Sequence, residues 1–290
     1  YRTAPVSMEI LSDIRTPMEV LRILKNISKH CYMLESISDH ENWGRYTFLG
    51  YEPKLEITCL NGRMRVGDLT FQTDAPGKYI AQILQEHKSP KFEGLPPFTG
   101  GLVGYFSYDY LKYAEPSLRL DAADTEGFKD VDLMLFDRVI AFDNYRQKIV
   151  LIVNISLENA EVEYNRAMLE LRQMAQLLRT GKPQKDAPGR LKSEMTALFD
   201  KDAYCAMVEK AKHYIREGDI FQIVLSNRLE AEYEGTLLNT YRVLRTVNPS
   251  PYMFYFFSSD LEVAGASPET LVKLQDGVLH TFPLAGTRPR

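Results

Sequence analysis

Residues 131–157 read VDLMLFDRVIAFDNYRQKIVLIVNISL, and this stretch decides the class of fold. Two runs rich in Val, Ile, Leu and Phe predict two long strands, residues 131–142 and 147–156, joined by the turn DNYR. A long amphipathic helix is predicted directly after them, over about residues 159–179, where it closes this half of the chain.

Local start and turn signals predict further elements on either side. The first helix is predicted over residues 16–30, where Thr16 can cap the helix and Glu19 completes a capping box. The pair Asn61 and Gly62 separates two strand-like runs, which predicts a hairpin with a type I′ turn. Three more helices are predicted near residues 76–88, 200–217 and 236–247.

The C-terminal third is predicted to contain a long strand. Residues 218–235 read GDIFQIVLSNRLEAEYEG, and the second half of this run alternates apolar with charged residues. Two short strands near 252–266 and a hairpin around QDGV (275–278) follow. Because the predicted strands come in runs with helices between the runs, and no glycine-rich loop joins a strand to a helix as in nucleotide-binding motifs, an α+β fold is favoured over a doubly wound sheet.

The composition excludes several classes of protein. Of 290 residues, 44% are hydrophobic and 26% are charged, as in ordinary globular domains. A net charge of −4 without basic runs argues against binding to nucleic acid. The lack of a long apolar run or a signal-peptide core argues against a membrane. Cys31, Cys59 and Cys205 are far apart and odd in number, which predicts reduced thiols in a cytoplasmic protein.

Several segments, taken in order along the chain, resemble one known family. They are YMLESIS (32–38) with WGRYTFLGYEP (43–53), EGDIFQIVLSNR (217–228), NPSPYMFYF (248–256) with GASPETLVK (265–273), and PLAGTRPR (283–290). Together they resemble the large subunit of anthranilate synthase, component I, which is a chorismate-utilising enzyme. The resemblance extends over nearly the whole chain.

The resemblance implies a large α+β sandwich of two sheets with helices outside, incomplete at its C-terminus. It also implies three parts: a tryptophan-binding regulatory region (1–180), a linker (181–193) and the first part of the chorismate-binding catalytic domain (194–290). The run TGKPQKDAPGRLKS (180–193) is rich in Lys, Pro and Gly, which is itself typical of a linker.

The family's reaction converts chorismate and ammonia to anthranilate and pyruvate with Mg²⁺. This lyase reaction is the first committed step of tryptophan biosynthesis, and tryptophan inhibits it. Ammonia comes from glutamine through a separate amidotransferase subunit, component II, so the resemblance implies a partner chain. The family's acid/base residues and Mg²⁺ ligands are expected beyond Arg290, and the chain alone is therefore expected to be inactive.

Five residues match the family's tryptophan site: Glu35, Ser36, Pro251, Tyr252 and Met253. A carboxylate inside an apolar strand is costly unless it is paired, and it can receive an ammonium group. Proline fixes the backbone, while tyrosine and methionine offer a polarisable wall for an indole ring. From the residues alone, an edge strand with solvated polar groups and a structural Pro-Ser-Pro turn remain alternatives.

The last residues match the family's chorismate contacts. Gly286 and Thr287 combine an amide and a hydroxyl, which suits a dicarboxylate, while Arg288 and Arg290 brace the loop or add positive potential. Ala285 stands where the related aminodeoxychorismate synthase component I typically has a nucleophilic lysine, which favours anthranilate synthase. That folate-pathway enzyme and a non-catalytic tryptophan-binding fragment remain the alternative functions.

Overall fold

The computed structural model describes residues 1–36, 44–118, 124–185 and 187–284. The chain forms two compact units, a larger one of Tyr1–Lys185 with Tyr241–Arg290 and a smaller one of Asp186–Thr240. These boundaries follow packing. The predicted division into a regulatory region, a linker and a catalytic part follows function, and it stays a prediction.

Strands outnumber helices in the described ranges. The strands are β1 (Thr3–Leu11), β2 (Cys31–Glu35), β3 (Tyr46–Tyr51), β4 (Leu55–Leu60), β5 (Arg63–Val66), β6 (Leu69–Gln72), β7 (Gly101–Phe106), β8 (Val131–Phe136), β9 (Arg138–Asp143), β10 (Lys148–Ser156), β11 (Arg190–Leu191), β12 (Thr196–Ala197), β13 (Leu229–Glu230), β14 (Tyr233–Glu234), β15 (Tyr252–Phe257), β16 (Glu262–Ser267), β17 (Thr270–Gln275) and β18 (Val278–Phe282). The helices are α1 (Pro17–Ile27), α2 (Pro76–Glu86), α3 (Leu111–Ala114), α4 (Ala160–Thr180), α5 (Lys201–Glu217) and α6 (Leu238–Val247). None of these helices is both long and apolar enough to cross a bilayer.

Most strands of the larger unit belong to two antiparallel sheets. A seven-stranded sheet has the order β1-β10-β9-β3-β2-β15-β16, and a five-stranded sheet has the order β6-β5-β4-β8-β7. In the seven-stranded sheet β2 lies between β3 and β15. This pairing places a strand from the start of the chain beside one from near its end.

A hydrophobic core fills the space between the two sheets. Tyr32 and Phe256 of the first sheet pack against Met134 and Phe136 of the second, and the rings of Tyr32 and Phe136 meet edge-on with centroids 4.7 Å apart. α1 and α4 pack on the seven-stranded sheet and α2 on the five-stranded sheet. The fold is α+β, as the sequence pattern predicts, and it is a sandwich with helices outside, as the resemblance implies.

One predicted strand, residues 131–142, consists of two strands in different sheets. β8 and β9 are separated at Asp137, whose carbonyl oxygen accepts hydrogen bonds from the backbone N–H of Asn154 at 2.8 Å and from its side-chain amide at 3.1 Å. β8 pairs with β4 and β7, whereas β9 pairs with β3 and β10. Both strands are almost entirely buried, so the apolar run gives no sign of the break.

The predicted start of α1 and the predicted hairpin are confirmed. Thr16 Oγ1 accepts a hydrogen bond from the backbone N–H of Glu19 at 3.3 Å, and the Glu19 carboxylate accepts one from the Thr16 N–H at 3.0 Å. In the turn between β4 and β5, Asn61 and Gly62 have φ values of +48° and +77°. Positive φ at both residues is what a type I′ turn requires.

The smaller unit confirms one prediction and corrects another. α5 begins after Asp200, whose carboxylate accepts a hydrogen bond from the Ala203 N–H at 2.8 Å, and it ends at Gly218 with φ +86°. The long strand predicted over residues 218–235 is wrong, because only β13 and β14 form there, paired with β12 and β11. No described strand pairs with residues 219–228, and a strand needs a neighbour for its backbone polar groups. Phe221 is 93% exposed.

Candidate functional site

A cavity of about 650 Å³ lies where β2 ends and β15 begins. Four of the five residues predicted for the tryptophan site line it, namely Glu35, Ser36, Pro251 and Tyr252. The rest of the lining comes from neighbouring strands and loops: Leu34, Tyr46, Phe48, Phe98, Glu269, Thr270, Leu271, Val272 and Lys273. The fold therefore brings together two predicted segments that are far apart in the sequence.

The antiparallel ladder between β2 and β15 decides which side chains point towards this cavity. Glu35 lies opposite Met253, and Leu34 lies opposite Phe254. Opposed residues share one face of a sheet, and successive residues alternate between faces. Leu34 packs against the core between the sheets, so Glu35 and Met253 point to the outer face. Tyr252 points to the inner face with Leu34, where it lines the cavity.

On the outer face the carboxylate of Glu35 is held by α6. The hydroxyl of Tyr241 donates a hydrogen bond to Oε1 at 2.6 Å, and Arg245 Nη2 donates one to Oε2 at 2.8 Å. Only 3% of the Glu35 side chain is exposed, and Arg245 Nε lies 2.5 Å from Oε1. Burial, with the nearby carboxylate, raises the pKa of Tyr241, so the phenol stays protonated and donates. The buried charge thus has its partners within the protein.

Sequence reasoning did not find Tyr241 or Arg245. The two residues are four positions apart on a predicted helix, a spacing that places them on one helical face. That spacing is visible in the sequence. Their common partner is not, because Glu35 lies in a distant segment and only the pairing of β2 with β15 brings it near α6.

One part of the cavity wall is aromatic. The rings of Tyr46 and Phe48 are stacked, with centroids 5.6 Å apart and an interplanar angle of 28°. Phe98 meets Phe48 edge-on, with centroids 5.6 Å apart and an interplanar angle of 81°. Aromatic side chains favour these two arrangements with one another. This part of the wall therefore suits a ligand with a planar aromatic ring.

Another part of the wall is polar and comes from the segment around β17. The hydroxyl of Tyr252 lies 2.5 Å from Thr270 Oγ1, which ties β15 to β17. Glu269 and Lys273 contribute a negative and a positive side chain to the lining. Neither was predicted as a site residue. An aromatic wall next to charges of both signs suits a zwitterionic aromatic molecule.

The predicted chorismate contacts Gly286 and Thr287, with the neighbouring Ala285, Arg288 and Arg290, lie outside the described residues. Within the described ranges, no three His, Cys, Asp or Glu side chains lie close enough together to hold a metal ion. The residues present there do not fit a Mg²⁺ site, which needs several oxygen ligands. The placement of the ligands beyond Arg290 stays a prediction.

Comparison with known proteins agrees with the architecture. Anthranilate synthase component 1 from Acinetobacter calcoaceticus is 37% identical to this chain, covering 100% of the chain and 61% of the relative. Its counterpart from Acetivibrio thermocellus is 36% identical over the same shares. The crystal structure of anthranilate synthase component I from Streptococcus pneumoniae superposes with a TM-score of 0.70 at 28% identity, covering 93% of this chain and 59% of that one.

The similarity covers all of this chain but only part of each relative. The chain spans about 61% of the length of the curated relatives named above. A sequence profile described as chorismate binding enzyme matches residues 29–290. This chain belongs to the chorismate binding enzyme family, and it is similar along its whole length to anthranilate synthase component 1.

Proposed function

We propose that this chain is part of the large subunit of an anthranilate synthase, which converts chorismate and ammonia to anthranilate and pyruvate. The observation that carries the proposal is similarity over 100% of the chain, at 36–37% identity, to relatives named anthranilate synthase component 1. Ala285 supports it, because an alanine cannot act as the nucleophilic lysine of the folate-pathway relative. The activity proposed is that of a protein of the relatives' length.

The cavity at the end of β2 and the start of β15 is the proposed site for L-tryptophan as feedback inhibitor. Its support is the combination of Ser36, Pro251 and Tyr252 with the aromatic wall and with side chains of both signs. The indole ring packs against Tyr46 and Phe48, since aromatic pairs gain from stacked and edge-on contacts. The ammonium and carboxylate groups of the amino acid then face the polar part of the lining.

The proposal includes substrate-binding residues, a metal ion and a partner subunit. Gly286 and Thr287 contact the carboxylates of chorismate, which an amide N–H and a hydroxyl can bind. The reaction would also require Mg²⁺, held by ligands beyond Arg290, which would supply positive charge to the ring carboxylate of chorismate. A glutamine amidotransferase subunit supplies the ammonia.

Product formation in a hybrid enzyme tests the proposed reaction. Residues 1–290 replace the matching part of the Acinetobacter calcoaceticus relative, and the rest of that enzyme is retained. With chorismate, an ammonium salt and Mg²⁺, the hybrid is expected to form anthranilate, detected by its fluorescence, at a rate within about tenfold of the parent enzyme.

The unchanged parent enzyme is the positive control for this assay. Chromatography of the products distinguishes anthranilate from aminodeoxychorismate. A hybrid that unfolds cooperatively, and is therefore folded, but releases aminodeoxychorismate or no product contradicts the proposed reaction.

A further inference from the structure

Glu35 borders the cavity at the end of β2, but its carboxylate is turned to the opposite face of the strand. Tyr252 lines the cavity on the inner face, whereas the carboxylate is bound by α6 on the outer face. Among the described residues that line the cavity, none belongs to α6. We propose that Tyr241 and Arg245 are positioning residues, which act on the cavity through Glu35 and the strand end that Glu35 anchors. This inference rests on the proposed tryptophan site and deepens it.

The buried negative charge of Glu35 requires partners, which α6 provides. We call these partners, Tyr241 and Arg245, the clamp. A carboxylate with 3% of its side chain exposed is unfavourable unless a cation and hydrogen bonds compensate for the lost hydration. Arg245 supplies the cation and a hydrogen bond, and Tyr241 supplies a second one. Without Arg245 the charge is buried and uncompensated, so the Glu35 side chain cannot keep its place.

The clamp acts at the point where the ladder stops and the cavity begins. Glu35 is the last residue of β2, and it pairs with Thr47 of β3 and Met253 of β15. Strand ends open more readily than strand centres. Ser36 follows directly and lines the cavity. Holding the Glu35 side chain in place therefore also holds the position of Ser36. It maintains the pairing of Glu35 with Met253, and this pairing directs the neighbouring side chain of β15, Tyr252, to the inner face.

The Glu35 carboxylate can affect binding of an amino acid in two ways, by direct contact or through the shape of the cavity. A carboxylate that contacts the ligand's ammonium group affects only ligands that carry one. A carboxylate that anchors the strand end affects the shape of the cavity, and with it every ligand that binds there. The structure favours the second way, because α6 engages both carboxylate oxygens on the face away from the cavity.

The first arm of the test needs no ligand. Urea unfolding is compared for the wild-type chain, Glu35→Gln, Arg245→Met and the double variant, with Arg172→Met, at an exposed position of α4, as matched control. Arg245→Met is expected to lower the unfolding midpoint, and adding Glu35→Gln is expected to restore part of the loss, since it removes the uncompensated charge. Additive losses, or a loss in Arg172→Met equal to that in Arg245→Met, overturn the proposed clamp.

The second arm compares L-tryptophan with indole-3-propionate, which has the same ring and carboxylate but no amino group. Arg245→Met is expected to weaken binding of both by about tenfold or more, with the ratio of the two affinities unchanged. Arg245→Lys keeps the cation and is expected to recover most of the affinity. Tyr241→Phe is expected to have a smaller effect in the same direction, because it removes one neutral donor.

Two results of the second arm overturn the positioning role. One is a loss confined to tryptophan, which means that the charge contacts the ligand's ammonium group directly. The other is unchanged binding of both ligands in Arg245→Met. If neither ligand binds the folded wild-type chain, the proposed tryptophan site is wrong, and the urea arm still decides whether the clamp exists.

Discussion

Replacing Ser36 by phenylalanine is expected to weaken L-tryptophan binding by about 5- to 150-fold, the range that follows from about 1–3 kcal/mol of steric overpacking. Ser36 lines the cavity of about 650 Å³ at the end of β2. A phenyl ring at this position is expected to take up volume in the cavity that the ligand would otherwise occupy. In an enzyme of full length, the same change is expected to desensitise the reaction to tryptophan and to leave turnover intact.

Titration calorimetry of the chain measures this loss, and inhibition curves of the full-length enzyme measure the desensitisation. Ser117→Phe is the matched control, because Ser117 is exposed and lies outside the cavity. Ser36→Ala removes the hydroxyl without adding volume, and it is expected to cost less affinity than Ser36→Phe. Equal affinities in wild type and Ser36→Phe contradict the placement of tryptophan in this cavity.

Replacing Gly104 by alanine is expected to destabilise the larger unit by about 3 kcal/mol or more, the scale of backbone strain combined with a backbone clash. Gly104 lies on β7 opposite Leu133 of β8 and has φ +153°. A Cβ atom there lies 2.0 Å from the carbonyl oxygen of Asp132 and 2.9 Å from the Cα of Leu133. Both contacts are to backbone, so β7 must move away from β8.

Gly94→Ala is the matched control for this strain. Gly94 has φ +86°, but an added Cβ meets nothing within 4 Å, so only the cost of the left-handed backbone conformation, about 1–2 kcal/mol, is expected. Urea unfolding compares the two variants with wild type. If Gly104→Ala costs no more than Gly94→Ala, the close approach of β7 to β8 is contradicted.

Local structure follows from the sequence wherever a few adjacent residues determine it. The capping box of Thr16 and Glu19, the turn of Asn61 and Gly62, and the ends of α5 at Asp200 and Gly218 are all confirmed. Each depends on hydrogen bonds or φ values within about four residues, and propensity describes these well. The α+β class follows in the same way, from the sum of such elements.

Sheet membership is harder to predict, because it depends on distant partners. Residues 131–142 form one apolar run, yet the chain leaves one sheet and enters the other at Asp137. Residues 219–228 have a strand-like sequence, but no described strand pairs with them. An apolar run indicates that a segment is buried. Which strand it pairs with depends on the whole fold.

In the candidate site, too, some features were predictable from the sequence and others depend on distant pairing. The resemblance identifies Glu35, Ser36, Pro251 and Tyr252, and the fold brings all four to one cavity. The side-chain direction of Glu35 and its partner Arg245 were not predictable, because both depend on the register between β2 and β15. A shift of one residue in that register would turn Glu35 towards the cavity.

Calorimetric titration of L-tryptophan into the folded 290-residue chain tests the central claim most directly. Saturable binding of one tryptophan per chain, lost in Ser36→Phe and kept in Ser117→Phe, is the predicted result. A chain that unfolds cooperatively in urea but releases no saturable heat with tryptophan contradicts the claim that the cavity at the end of β2 is the inhibitor site.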